Sequence, residues 1–133
     1  MKKRIFFVDD ASFESEPIQD ALQPDYDVTF IYDIDKAVKH LNQDFDYDCF
    51  IIDLIMPNTT TKLPDNFLMG FELIKYLRNT LKQNNPIIVL TVVTNEEWLS
   101  QIRPFVNEIL AKPSTPGHVK RTVEKLLNKV QYK

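Results

Sequence analysis

Four short apolar runs punctuate the chain: Ile5-Phe6-Phe7-Val8, Cys49-Phe50-Ile51-Ile52, Ile87-Ile88-Val89-Leu90 and Ile109-Leu110-Ala111. None of them alternates apolar with polar residues, as a strand with one solvated face would. Continuous apolar runs bounded by polar residues and separated by helical patterns predict strands of a parallel sheet buried on both faces. Asp25 to Tyr32 reads as a further strand, with Val28 and Phe30, joined by Tyr26, on one face.

The segments between the strands carry helical spacing. Ile18, Ala21 and Leu22 form a short stripe between Ser12 and Gln23. Pro17 within it predicts either a start near Ser15–Glu16 with the proline in the first turn, or a local distortion. Ile34, Ala37, Val38 and Leu41 are spaced for a helix that covers the sheet. A third helix is expected over roughly Phe67–Lys82, burying some of Phe71, Ile74, Leu77 and Leu81. Thr94 and Glu97 have capping-box spacing and predict a short fourth helix through Trp98 and Ile102, which Pro104 stops. Thr115-Pro116 fits an N-cap followed by proline at the first helical position. The fifth helix then carries Val119, Val123, Leu126, Leu127 and Val130. Strand and helix thus alternate five times, which predicts an α/β, doubly wound, five-stranded parallel sheet with helices on both faces.

A length of 133 residues suits one domain with one core, and a single domain over 1–133 is expected. The composition, 44% hydrophobic and 26% charged, is that of an ordinary globular chain. A formal net charge of −3 without a long basic run gives no nucleic-acid footprint. The one cysteine, Cys49, lies within an apolar run and reads as a small buried side chain in a reducing compartment. Met1-Lys2-Lys3-Arg4 precedes only four apolar residues, too few for a signal-peptide core or a membrane span. A cytoplasmic location is expected, with no membrane contact.

Chemistry collects where the runs end. Asp9-Asp10 close the first, Asp53 the third-strand run, Thr91 the next and Lys112-Pro113 the last. Ligands of open α/β sheets bind outside the carboxyl ends of the strands. Three carboxylates, a hydroxyl and an ammonium therefore converge. Crowded carboxylates repel unless something positive lies between them, and Mg2+, with its preference for hard oxygen ligands, meets that need.

Val8-Asp9-Asp10, Ile52-Asp53-Leu54-Ile55-Met56-Pro57, Leu90-Thr91 and Ala111-Lys112-Pro113, in this order and each closing an apolar run, resemble the receiver domain of two-component response regulators. The resemblance covers essentially the whole chain and implies the flavodoxin-like (βα)5 fold. It implies that Asp10 and Asp53 ligate Mg2+ directly, that Asp9 supports the ion directly or through water, and that the Ile55 backbone carbonyl supplies another oxygen. Asp53 would be the phosphoacceptor, Lys112 would neutralise the transferring group, and Thr91 would donate its hydroxyl to a phosphoryl oxygen. The Lys112–Pro113 bond would be cis. The phosphoryl donor would be a histidine kinase or a histidine phosphotransfer protein. The output would pass to a downstream protein through the fourth helix, fifth strand and fifth helix. Such a chain catalyses only its own phosphorylation and dephosphorylation.

Several positions depart from the family pattern. Ile109 stands where receivers commonly carry a tyrosine or phenylalanine, and Val92 follows the threonine where a small residue is usual. Pro104-Phe105-Val106-Asn107 replaces a frequent glycine-alanine pair. Residues 57–70 form an unusually long connection between the third strand and third helix, either a functional loop or a tolerated surface insertion. Two other readings compete. A degenerate receiver that binds partners without phosphorylation agrees with Ile109 and Val92 but not with the complete acidic and basic set. A haloacid-dehalogenase-like phosphohydrolase would need a second aspartate at the position of Ile55.

Overall fold

The computed structural model describes residues 2–55 and 69–128. Five strands and five helices alternate along them: β1 (Lys3–Val8), α1 (Ser12–Leu22), β2 (Tyr26–Ile31), α2 (Ile34–Gln43), β3 (Cys49–Ile52), α3 (Met69–Lys75), β4 (Ile87–Thr91), α4 (Glu96–Ile102), β5 (Glu108–Ala111) and α5 (Pro116–Leu127). All strands run parallel in the order β2-β1-β3-β4-β5. This is the doubly wound, flavodoxin-like arrangement that the apolar runs predict.

Burial on both faces explains those runs. Phe6, Val8, Phe50, Ile52, Ile87 and Val89 point to one side, into a core completed by α2, α3 and α4. Ile5, Phe7, Cys49, Ile51, Ile88 and Leu90 point to the other and pack with Ile18, Leu22, Val119 and Val123 of α1 and α5. A residue of either parity must therefore be apolar. Burial also pushes the Cys49 thiol up to about 12, so it stays protonated and inert.

The helix boundaries answer to local chemistry. Pro17 lies inside α1, which begins at Ser12, earlier than Ser15–Glu16. Its missing N–H leaves the Phe13 carbonyl without a helical donor, and Phe13 is 87% exposed, so water reaches that end. Asp33 caps α2 by accepting from the N–H groups of Asp35 and Lys36. The Thr94–Glu97 capping box does not form. Asn95 takes the extended N-cap conformation instead and accepts from Trp98 N–H at 3.1 Å. Thr115 caps α5 through His118 N–H, with Pro116 in the first turn. Of the residues expected on that helix, Val130 lies outside the described residues, as does most of the 57–70 connection.

α3 is described from Met69 and continues from Tyr76 to Thr80 as a π-helical turn, while the expected start at Phe67 lies outside the described residues. Lys82 adopts a left-handed conformation (φ 56°) that ends it. Arg78 leaves this turn to bond three backbone carbonyls, those of Gln83, Asn85 and Phe105, each at 2.8 Å, and Asn107 Oδ1 at 3.2 Å. Asn107 Oδ1 also receives Ile87 N–H at 2.9 Å. One guanidinium thus joins the end of α3 to the connections before β4 and β5.

Gly70 packs α3 directly against the end of β3. Its N–H donates to the Leu54 carbonyl at 2.9 Å. A Cβ on Gly70 would lie 1.9 Å from the Asp53 carbonyl oxygen and 2.7 Å from Leu54 Cα. Only a residue without a side chain lets the helix meet the end of β3. We expect Gly70→Ala to destabilise the chain by roughly 3 kcal/mol through overpacking against backbone that cannot yield. Chemical denaturation of parent and variant measures this, and an unchanged midpoint would contradict the close approach.

Candidate functional site

The groups converge because the sheet order brings the ends of β1, β3, β4 and β5 side by side. Asp9 and Asp53 follow adjacent strands, and Asp53 N–H bonds the Val8 carbonyl at 3.0 Å, which sets their register. Both carboxylates are buried, as is Thr91, whereas Asp10 is exposed. Lys112 crosses from the end of β5 and places Nζ 2.9 Å from Asp9 Oδ2 and 3.3 Å from Asp53 Oδ2. The Lys112–Pro113 peptide bond is cis.

Backbone donors hold the carboxylates from the other side. Asp9 Oδ1 accepts from Ala11 N–H at 2.9 Å, and Asp53 Oδ1 accepts from Ile55 N–H at 3.3 Å. Thr91 Oγ1 accepts from Val93 N–H at 3.0 Å, while its carbonyl receives Lys112 N–H at 2.8 Å. The threonine is therefore tied to the lysine through the β4–β5 ladder. Ile109 is half-buried and packs on the α3–α4 side of the core.

The electrostatics are those of excess buried negative charge. Burial pushes the Asp53 carboxyl up to about 7, and the neighbouring Asp9 carboxylate adds to the rise, against the opposing effects of Lys112 and the Ile55 N–H. Burial works to lower the Lys112 ammonium, but its hydrogen bond to Asp9 and the charges of Asp53 and Asp9 outweigh it, so its pKa is raised. One ammonium does not neutralise three carboxylates.

Carboxylate oxygens of Asp9, Asp10 and Asp53 lie within 4.8 Å of one another. An all-oxygen donor set with unbalanced negative charge fits a hard divalent cation. Asp10, open to solvent, leaves room for retained water. Beside this cluster, a cavity of about 250 Å³ opens between α1 and the β5–α5 connection, with Glu14, Ser15, Lys112 and Ser114 in its wall. Beyond Lys112, the strand-end pattern marks neither Glu14 and Ser114 in this wall nor Gly70. Gly70 is one of two glycines in the chain, and it sits just where a long connection must return to the end of β3.

The chain belongs to the response regulator receiver domain family, whose model matches residues 5–124. Among solved structures, it is similar to a CheY-like receiver domain protein from Methanospirillum hungatei, with TM-score 0.77 and 20% identity over 98% of each chain. The chemotaxis response regulator CheY4 of Vibrio cholerae gives TM-score 0.77 at 25% identity, covering 96% of this chain and 100% of that one. The BeF3-activated receiver domain of DrrB from Thermotoga maritima gives TM-score 0.77 at 19% identity, over 96% and 99% of the two chains. No curated protein matches the chain. No helix among the described residues is long and apolar enough to cross a membrane.

The acidic cluster generates a direct test. We expect about 10 mM Mg2+ to raise the melting temperature by roughly 2–4 °C, because a ligand bound only by the folded chain stabilises it. An Asp9→Asn, Asp10→Asn double variant should lose that increment. Equal Mg2+ stabilisation of parent and variant would place the cation elsewhere.

Proposed function

We propose that this receiver accepts a phosphoryl group on Asp53 from a histidine kinase or a histidine phosphotransfer protein and signals through protein–protein contacts. The observation that carries the reading is the Asp53 carboxylate, buried at a strand end, with Lys112 Nζ 3.3 Å from its Oδ2. Asp53 oxygen attacks phosphorus in line, an O–P bond forms and the N–P bond to the donor imidazole breaks. The leaving nitrogen keeps the bonding pair, and an acyl phosphate remains on the protein. Asp9, Asp10, Asp53 and the Ile55 carbonyl would hold Mg2+. When bound, the ion supplies charge neutralisation of the phosphoryl oxygens. Lys112, already lodged between Asp9 and Asp53, supplies the protein's own positive charge at the same place.

Thr91 gives the chemistry a mechanical outlet. Its hydroxyl oxygen accepts from Val93 N–H. Turning the hydroxyl proton toward a phosphoryl oxygen draws on the backbone from Val92 to Asn95 that leads into α4. The output face is α4, β5 and α5. With Ile109 in place of an aromatic ring, the accompanying rearrangement is modest. The chain acts in the cytoplasm and turns over no other substrate. The phosphohydrolase alternative lacks its acid/base residue, since Ile55 is aliphatic.

Intact mass after treatment with Mg2+ and acetyl phosphate tests the assignment. We expect one labile phosphoryl group on the parent chain and none on Asp53→Asn, whose amide is nearly isosteric but a poor nucleophile. An unmodified parent would favour a phosphorylation-independent binding module. Full labelling of the Asn variant would move the acceptor to another residue.

The acyl phosphate should also be long-lived. Hydrolysis needs a water in line with phosphorus, opposite the Asp53 oxygen. Ile55 and Val93, both half-buried, are two residues beyond Asp53 and Thr91, and neither side chain can hold a water by hydrogen bonding. An Ile55→Asn, Val93→Glu double variant is expected to lose its phosphate about tenfold faster than the parent. A parent that dephosphorylates as fast as this variant would show that the aliphatic pair has no protective role.

A further inference from the structure

We propose that the open edge of β2, together with the basic face of α2 beside it, accepts an extended acidic segment of a partner protein as a sixth strand. β2 ends the order β2-β1-β3-β4-β5, so among the described residues one of its sides has no neighbouring strand. Ile31 turns its carbonyl inward, to Asp9 N–H at 3.2 Å. A residue's N–H and C=O share a side and successive residues alternate, so Val28 and Phe30 turn theirs outward. These groups form a ready template for another strand.

Open edges are normally guarded by brevity, charge, proline or a bulge. β5, at the other end of the sheet, is four residues long and starts with Glu108. β2 has none of these devices beyond Asp27. It runs six residues, Tyr-Asp-Val-Thr-Phe-Ile, in unbroken register with β1 from Lys3↔Tyr26 to Val8↔Ile31. Five of its six residues are strong β-formers.

The cations stand beside this edge, not on it. A cavity of about 380 Å³ lies between the strand and α2, with Ile31, Tyr32, Lys36, Lys39 and His40 in its wall. Among the described residues no carboxylate lines it, although the chain carries 19 acidic residues against 16 lysines and arginines. Lys36 leans along it, with Nζ 3.3 Å from Tyr32 Oη and 4.9 Å from the ring centre. Tyr32 itself is 53% exposed. A nearby acid, Asp33, is occupied in capping α2.

These features select the occupant. A second copy paired edge to edge would bring Lys36 and Lys39 of both molecules to the same seam, where like charges repel. A bare polyanion would meet the lysines but leave the backbone edge unpaired. An acidic strand satisfies both, with main-chain hydrogen bonds giving affinity and its carboxylates giving choice of partner. The site lies on the far side of β1 from Asp53 and does not depend on the phosphoacceptor reading.

The test is an amide-resolved NMR titration of the 15N-labelled full chain with two blocked octapeptides, one alternating glutamate with valine and the other lysine with valine. The glutamate peptide should shift the amides of Val28, Phe30 and Tyr32 and slow hydrogen exchange at Val28 and Phe30 about tenfold. Lys36→Glu with Lys39→Glu, both exposed positions, should weaken that peptide at least about tenfold and favour the lysine peptide. Val28→Pro removes an outward donor that an edge strand tolerates losing, and should abolish binding. If circular dichroism shows that the proline variant does not fold, the charge-reversed variant carries the test. Asp53→Asn should bind as the parent does. Four results would overturn the proposal: equal binding of both peptides; no shift with either; shifts confined to Lys36, Lys39 and His40; or shifts at Val28 and Phe30 that grow with protein concentration alone.

Discussion

Lys112 joins the ends of three strands through one ammonium group, 2.9 Å from Asp9 after β1 and 3.3 Å from Asp53 after β3. Two buried carboxylates side by side would force the strand ends apart or take up protons. The lysine makes their closeness tolerable without offsetting burial, which with the lesser push of Asp9 keeps the Asp53 carboxyl shifted upward. Removing a partner from such a group leaves uncompensated buried charge, a severe penalty in a low-dielectric setting. The site is thus held together by the pull of Lys112 on an excess of buried negative charge, a donor set that suits a hard cation.

Much of this was legible because the demands on the sequence are strong. A strand covered on both faces has no polar positions to spare, so the runs ending in Asp9, Asp53, Thr91 and Lys112 identify themselves, and parallel pairing puts their ends together. The charge pattern at those ends is correspondingly plain. Weaker demands were less legible. Thr94–Glu97 has the spacing of a cap, but Asn95 stands one residue on and is the stronger N-cap, so the helix starts there. Pro17 is accommodated inside α1 because water can serve the carbonyl it deprives.

Other features had no local signature. The π-helical turn at Tyr76–Thr80 carries Arg78 and is followed by the left-handed Lys82, features that intrinsic propensity does not encode. Gly70 could be noticed as a rare glycine, but its role depends on the return of the chain to Leu54. Ile109 was visible as a departure, and its packing against the α3–α4 side follows from ordinary aliphatic burial.

Arg78 has a consequence for how motion travels. By holding the Phe105 carbonyl and Asn107, it pins the chain just beyond the C-terminal end of α4 to the body of the domain. The N-terminal end of α4 hangs from Val92 to Asn95, directly after Thr91. A helix fastened at one end and pulled at the other behaves as a lever. Under the proposed switch, a small displacement at Thr91 would become an angular change about a fulcrum near Phe105, largest at the exposed residues of the first turn.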